Sequence, residues 1–262
     1  MVNSFEKEGR KANKKLIAFA PSFTKENKEL IAELSERGNE YASLKGAEQE
    51  VKSIIQLMSG QLYTDSLATE RNFKEHAANF KILHVATHGI LNDHDPMSSR
   101  LVFYQDNDTV EDGNLYAYEI YNMQLNADLA VLSACNTGSG KLQEGEGIMN
   151  LARGFLYAGV PGIVMSLWSV NDLSSAEIMK GFYSYLKSGL SKSEALQKAK
   201  KDYIVNVDNL TANPYYWAGF VIIGNQHEIS FKPNTSLSIV FLSSLVVAVI
   251  VILGRKRYKQ KK

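Results

Sequence analysis

Leu129-Ala-Val-Leu132 is apolar throughout, contains a β-branched residue and runs straight into Ser133-Ala-Cys135-Asn-Thr-Gly138. A half-exposed strand would alternate polar and apolar residues, so an unbroken run of this length reads as a strand buried on both faces. Such a strand needs helices above and below it, and that need limits the available folds more than any other stretch. Further runs repeat the pattern: 15–20 ahead of Pro21, 80–86 ahead of Thr87-His-Gly89, and 162–167. Amphipathic segments lie between them. Leu44, Ala47, Val51, Ile54, Ile55 and Met58 recur at helical spacing up to Gly60, as do Ile148, Leu151, Ala152, Phe155 and Leu156 up to Gly159. Residues 174–187 and 191–205 read as two more helices with serine caps, Thr69 caps a shorter one, 101–104 reads as a strand and 217–223 as the final one. Alternating strands and helices predict an α/β fold, an open and mostly parallel sheet with helices on both faces.

In sheets of this kind ligands sit just beyond the carboxyl ends of the strands. Cys135, the single cysteine of the chain, stands at such a position. A lone cysteine is commonly a small buried hydrophobe, so chemistry there needs a partner. His88 offers one, because it too follows an apolar strand and is flanked by small residues. If the two strands are neighbours, an imidazole meets a thiol at one edge, the arrangement a thiolate nucleophile requires. The backbone N–H groups of Gly89 and Cys135 would then form an oxyanion hole for acyl transfer.

Other chemistries fail on residue type or spacing. Thr137-Gly-Ser-Gly-Lys141 resembles a phosphate loop, but Cys135 and Leu142 stand where that motif needs Gly and Ser or Thr. Gly145-Glu-Gly147 lacks the third small residue of a dinucleotide fingerprint. His84 and His88 have the spacing of a helical metal pair, yet on a strand four residues span about 13 Å. His84 therefore reads as a core or helix-facing histidine, and neither a cofactor nor a metal is expected. With Lys+Arg 29 against Asp+Glu 28 the chain has no basic bias, which argues against a nucleic-acid partner.

Five segments together resemble the CHAT domain: KILHVATHGI at 81–90, DLAVLSACNTG at 128–138, EGEG at 144–147, ARGFLYAGVPGIVMSLWSVND at 152–172 and PYYWAGFVIIG at 214–224. That family is caspase-like, commonly follows TPR repeats, and belongs with separases, caspases and gingipains. The resemblance implies that His88 and Cys135 are a peptidase dyad acting on a protein or peptide substrate. Their 47-residue separation also suits caspases, whose histidine lies roughly 50 residues upstream of the cysteine. The local caspase signature is not met, with Ser133 in place of Gln and Thr137 in place of Gly. No 34-residue repeat occurs in the 262 residues, which leaves the partner binding and control that such repeats provide in the family unexplained, and an activating protein partner is an expectation.

Asp172 has two readings. The segment from Ser166 to Asp172 resembles the one that lines the pocket for the residue before the scissile bond in separases. An acid there would select Arg or Lys through a desolvated ion pair. Equally, Asp172 suits the cap of the helix that follows. Glu144 and Glu146 read as capping residues for the helix near Gly147, and Trp168 and Trp217 as core aromatics.

The C-terminus sets a further expectation. Residues 236–254 form nineteen uncharged residues rich in Val, Ile and Leu, followed by six basic residues in 255–262. As a helix they would span about 28 Å, close to a bilayer core of roughly 30 Å. The expected organisation is a charged segment 1–14, one CHAT domain at 15–225, a linker at 226–235, a single-pass transmembrane helix at 236–254 and a basic tail. The positive charges favour a cytoplasmic C-terminus. The N-terminus, by contrast, has no apolar signal-peptide core, so the side of the membrane on which the domain lies stays open.

Overall fold

The computed structural model describes residues 12–23, 45–106, 108–133, 135–136, 146–168 and 170–231. Residues 24–43, Glu144, the side chains of Cys135 and Glu146, the expected transmembrane segment 236–254 and the expected basic tail lie outside what is described. Backbone proximity divides the chain into two units, Met1–Ile229 and Ser230–Lys262. Among the described residues no helix is long and apolar enough to cross a membrane.

The chain begins with β1 (Lys14–Ala20), α1 (Lys45–Met58), β2 (Gln61–Thr64), α2 (Glu70–His76) and β3 (Phe80–Val85). Three short strands follow, β4 (His88–Ile90), β5 (Arg100–Val102) and β6 (Asn114–Tyr116), then α3 (Ala117–Asn122). Next come β7 (Leu129–Leu132), β8 (Cys135–Asn136), α4 (Glu146–Tyr157), β9 (Gly162–Ser166), α5 (Asp172–Lys187), α6 (Lys192–Asn206) and β10 (Phe220–Gly224).

The main sheet has the order β10-β9-β7-β3-β1-β2. Its strands are parallel except β10, which runs antiparallel to β9. Alternation along each buried strand supplies two apolar faces. Ile17, Phe19, Leu83, Val85, Ala130, Leu132, Ile163 and Met165 face Phe73 of α2, Ile120 of α3 and Leu151 and Phe155 of α4. Ala18 and Ala20 face Ala47 and Val51 of α1. Helices on both faces and a mostly parallel sheet agree with the alternation read from the sequence.

Thr69 caps α2 as expected, its hydroxyl accepting from the Asn72 N–H. Three boundaries differ from the sequence reading. The segment read as a strand at 101–104 is β5, displaced to Arg100–Val102, and β6 follows it. The helix read from Ser174 starts at Asp172, because Asn171 accepts from the Leu173 and Ser174 N–H groups and caps it. The last strand begins at Phe220 rather than Trp217. Asn213 and Pro214 open a single 3-10 turn, and the N–H groups of Trp217 and Ala218 bond back to the Pro214 carbonyl.

Beyond the carboxyl ends of β3 and β7 the chain crosses to a second sheet of order β6-β5-β4-β8. The crossings are anchored: the Ala86 N–H donates to the Phe19 carbonyl at 2.9 Å and the Ser133 N–H to the Val85 carbonyl at 3.0 Å. The Thr87 hydroxyl donates to the Val102 carbonyl.

Candidate functional site

β3 and β7 are parallel neighbours, His84 opposite Val131 and Val85 opposite Leu132. Both then cross to the second sheet, where they pair again as β4 and β8. In that pairing His88 stands directly opposite Cys135, and Gly89 opposite Asn136. The sequence expectation that neighbouring strands bring the two residues to one edge describes this backbone arrangement. Gly89 also pairs with Leu101 of β5, so it lies within the small sheet.

His88 is 4 % exposed. The Phe23 ring lies against its imidazole with centroids 4.8 Å apart, and Phe23 also packs on Ile90 and Val102. Burial disfavours the imidazolium and pulls the pKa of His88 down to about 4. At neutral pH the ring is uncharged, the state in which it can accept a thiol proton.

Asp172 is the first residue of α5, half-buried, with Asn171 taking the capping role. Gly46 of α1 packs tightly against it: a Cβ at Gly46 would lie 2.2 Å from the Asp172 Cβ. Trp168, read as a core aromatic, is only half-buried. Its indole N–H donates to the Tyr215 carbonyl at 2.8 Å, and its ring lies where a Cβ on Gly219 would be 2.9 Å away. Trp217 is half-buried too and donates to the Ala212 carbonyl at 3.0 Å.

His84 lies on the α1 side of the main sheet, as a helix-facing residue. Its Nδ1 is 3.0 Å from the Tyr183 hydroxyl of α5, and its Nε2 is 2.9 Å from Oε1 of Glu50 on α1. The second contact is off the line of a directional hydrogen bond, so it is close and polar but weakly oriented. The other carboxylate oxygen of Glu50 accepts from the Ser133 hydroxyl at 3.1 Å.

Among the described residues one acidic cluster has metal-ligand spacing, Glu70, Glu111 and Glu119. The Lys74 ammonium already contacts all three carboxylates, at 2.6, 2.5 and 2.7 Å. A cation thus occupies the centre of the group.

Phe23 and Glu50 escaped the sequence reading. Nothing local marks Phe23. Glu50 left a trace, because it sits between Ala47 and Ile54 on the apolar face of α1, where a charge needs a buried partner.

The comparisons fall in line with the motifs. The CHAT domain family matches residues 5–225, and this chain belongs to that family. It is 27% identical over 221 residues to human Tetratricopeptide repeat protein 28, covering 72% of this chain and 9% of that protein. The chain thus spans less than a tenth of that relative. Among solved structures, the Arg-specific cysteine proteinase gingipain R is similar at a TM-score of 0.48 and 8% identity, over 82% of this chain and 47% of that one. The Saccharomyces cerevisiae separase–securin complex is similar at 0.48 and 17%, over 81% of this chain and 12% of that one.

Proposed function

We propose that this CHAT domain is a cysteine endopeptidase held at a membrane, with His88 and Cys135 as its dyad. The observation that carries the reading is the parallel pairing of β4 and β8, which sets the two residues opposite one another. Cys135 Sγ attacks the peptide carbonyl carbon while His88 takes the thiol proton. The tetrahedral oxyanion is stabilised by the Cys135 amide. Collapse breaks the C–N bond, and His88 gives its proton to the departing amine. Water, deprotonated by His88, then hydrolyses the thioester and returns the thiol. Asp172 favours Arg or Lys before the scissile bond, supported by its place at the start of α5 just after β9.

The membrane role rests on the nineteen uncharged residues at 236–254 and the basic tail after them. The full chain in lipid vesicles is expected to float with them and cut Arg- or Lys-containing peptides. Deleting residues 236–262 should abolish flotation, and Cys135→Ala should lower cleavage by about a thousandfold or more. Cleavage by Cys135→Ala at the wild-type rate sinks the peptidase mechanism, and flotation without 236–262 sinks the anchor.

A second reading, a latent domain that acts or signals only with a protein partner, is favoured by the burial of His88 beneath Phe23. An electrophilic peptide probe separates the two. Labelling of Cys135 by the isolated chain supports the active form, and labelling only after a partner is added supports latency.

A further inference from the structure

We infer that Glu50 is a positioning residue for Cys135, acting through Ser133 from the α1 face of the sheet. The inference deepens the peptidase reading and rests on it. Glu50 is 2 % exposed in an apolar environment between α1 and the sheet, where a carboxylate is retained only with partners. Those partners are His84, wholly buried, and Ser133. The Tyr183 hydroxyl closes the far end of the chain, and burial together with the negative charge of Glu50 raises its pKa well above the ordinary value. Tyr183 therefore stays protonated and can donate to His84 Nδ1.

Ser133 is the last residue held by the main sheet before the chain reaches Cys135 two positions on. Its N–H is fixed by the Val85 carbonyl of β3, and its hydroxyl by Glu50. The first bond sets the register of β7 against β3. The second sets the direction in which the chain leaves the sheet, and hence where β8 meets β4. Because the His84 contact is poorly aligned, Ser133 provides the directional hydrogen bond to the buried carboxylate. The coupling is mutual: the carboxylate needs the hydroxyl, and the hydroxyl fixes the exit from β7. A group held on a rigid helix in this way controls a reacting atom without touching it.

The test uses the full chain and four variants. Ser133→Ala should lower kcat about tenfold with KM unchanged, and Ser133→Thr should recover most of the loss. Glu50→Gln, where it folds, should resemble Ser133→Ala. Val51→Ala loosens the same helix with no polar contact, so it should lower thermal stability and leave kcat unchanged. A kcat for Ser133→Ala within twofold of wild type overturns the inference, and so does a Val51→Ala variant that loses kcat equally. A second readout does not depend on proteolysis. With a single cysteine in the chain, iodoacetamide reports Cys135 alone, and its rate against pH reports the surroundings of the thiol. Ser133→Ala should move the midpoint towards about 8.5, the value of an isolated thiol. An unchanged profile overturns the inference even if the wild type cuts no peptide, whereas failure of cleavage alone counts only against the peptidase reading.

Discussion

Phe23 covers the imidazole of His88, and what water could do at that ring it now cannot. Desolvation penalises the protonated form, which is why the pKa sits at about 4. A general base works only when unprotonated, so the acid limb of kcat/KM should lie near pH 4 rather than near 6.5. Phe23→Ala admits water and should move that limb upwards. If the pKa reaches about 6, activity at pH 5 falls roughly tenfold relative to pH 8. A pH profile of kcat/KM for the two proteins measures this, and superimposable acid limbs would remove Phe23 from the account. The backbone pairing that sets His88 opposite Cys135 was legible in the sequence because each residue follows an apolar strand and is flanked by small residues. Phe23 was not, since its contact with His88 spans 65 positions and depends on how the chain after β1 folds back over β4.

At the scale of elements, α1 is the organiser that the sequence disclosed only in part. Its apolar stripe marked it as a helix packed on the sheet, and the same face carries Gly46 and Glu50 one turn apart. Glu50 reaches Ser133, and Gly46 lies against Asp172, so one helix touches both the approach to the proposed nucleophile and the proposed specificity acid. Gly46→Ala would put a methyl group 2.2 Å from the Asp172 Cβ, so α1 and α5 must move apart. Overpacking of this kind costs about 1–3 kcal/mol. The urea midpoint should fall accordingly, and KM for Arg-containing peptides should rise more than KM for neutral ones. An equal change in both would separate Asp172 from substrate choice. The long buried strands were readable because burial on both faces leaves an unbroken apolar run. The three-residue strands β4 and β6 were not, because segments that short take their conformation from pairing with neighbours distant in sequence. The antiparallel sense of β10 was equally hidden, since an apolar run carries no direction.

For the whole molecule, two buried groups oppose one another across the same pH range. His88 titrates at about 4 when folded and near 6.5 when unfolded, so between those values the unfolded chain binds more protons. Stability from this source therefore rises as pH climbs from 4 to 6.5. Glu70 is the reverse. Burial, resisted by Lys74 and supported by the charge of Glu119 and a hydrogen bond with Glu111, raises its pKa to about 7. The folded protein then holds a proton that the unfolded chain releases near 4.5, and stability falls as pH climbs from 4.5 to 7. The two contributions therefore oppose one another over this range. Asp108, Glu194 and Asp208 have pKa values lowered by hydrogen bonds and, for Asp108, by Arg71 as well. They lose their contributions in more acidic solution, outside this window. The wild-type chain should consequently show a nearly flat urea midpoint from pH 4.5 to 6.5 at constant ionic strength. Glu70→Gln leaves His88 unopposed, so its midpoint should rise across that range. His88→Asn leaves Glu70 unopposed, and its midpoint should fall. A wild-type slope as steep as that of either variant would mean that the two groups do not balance, and parallel slopes in both variants would mean that neither titrates as its surroundings require.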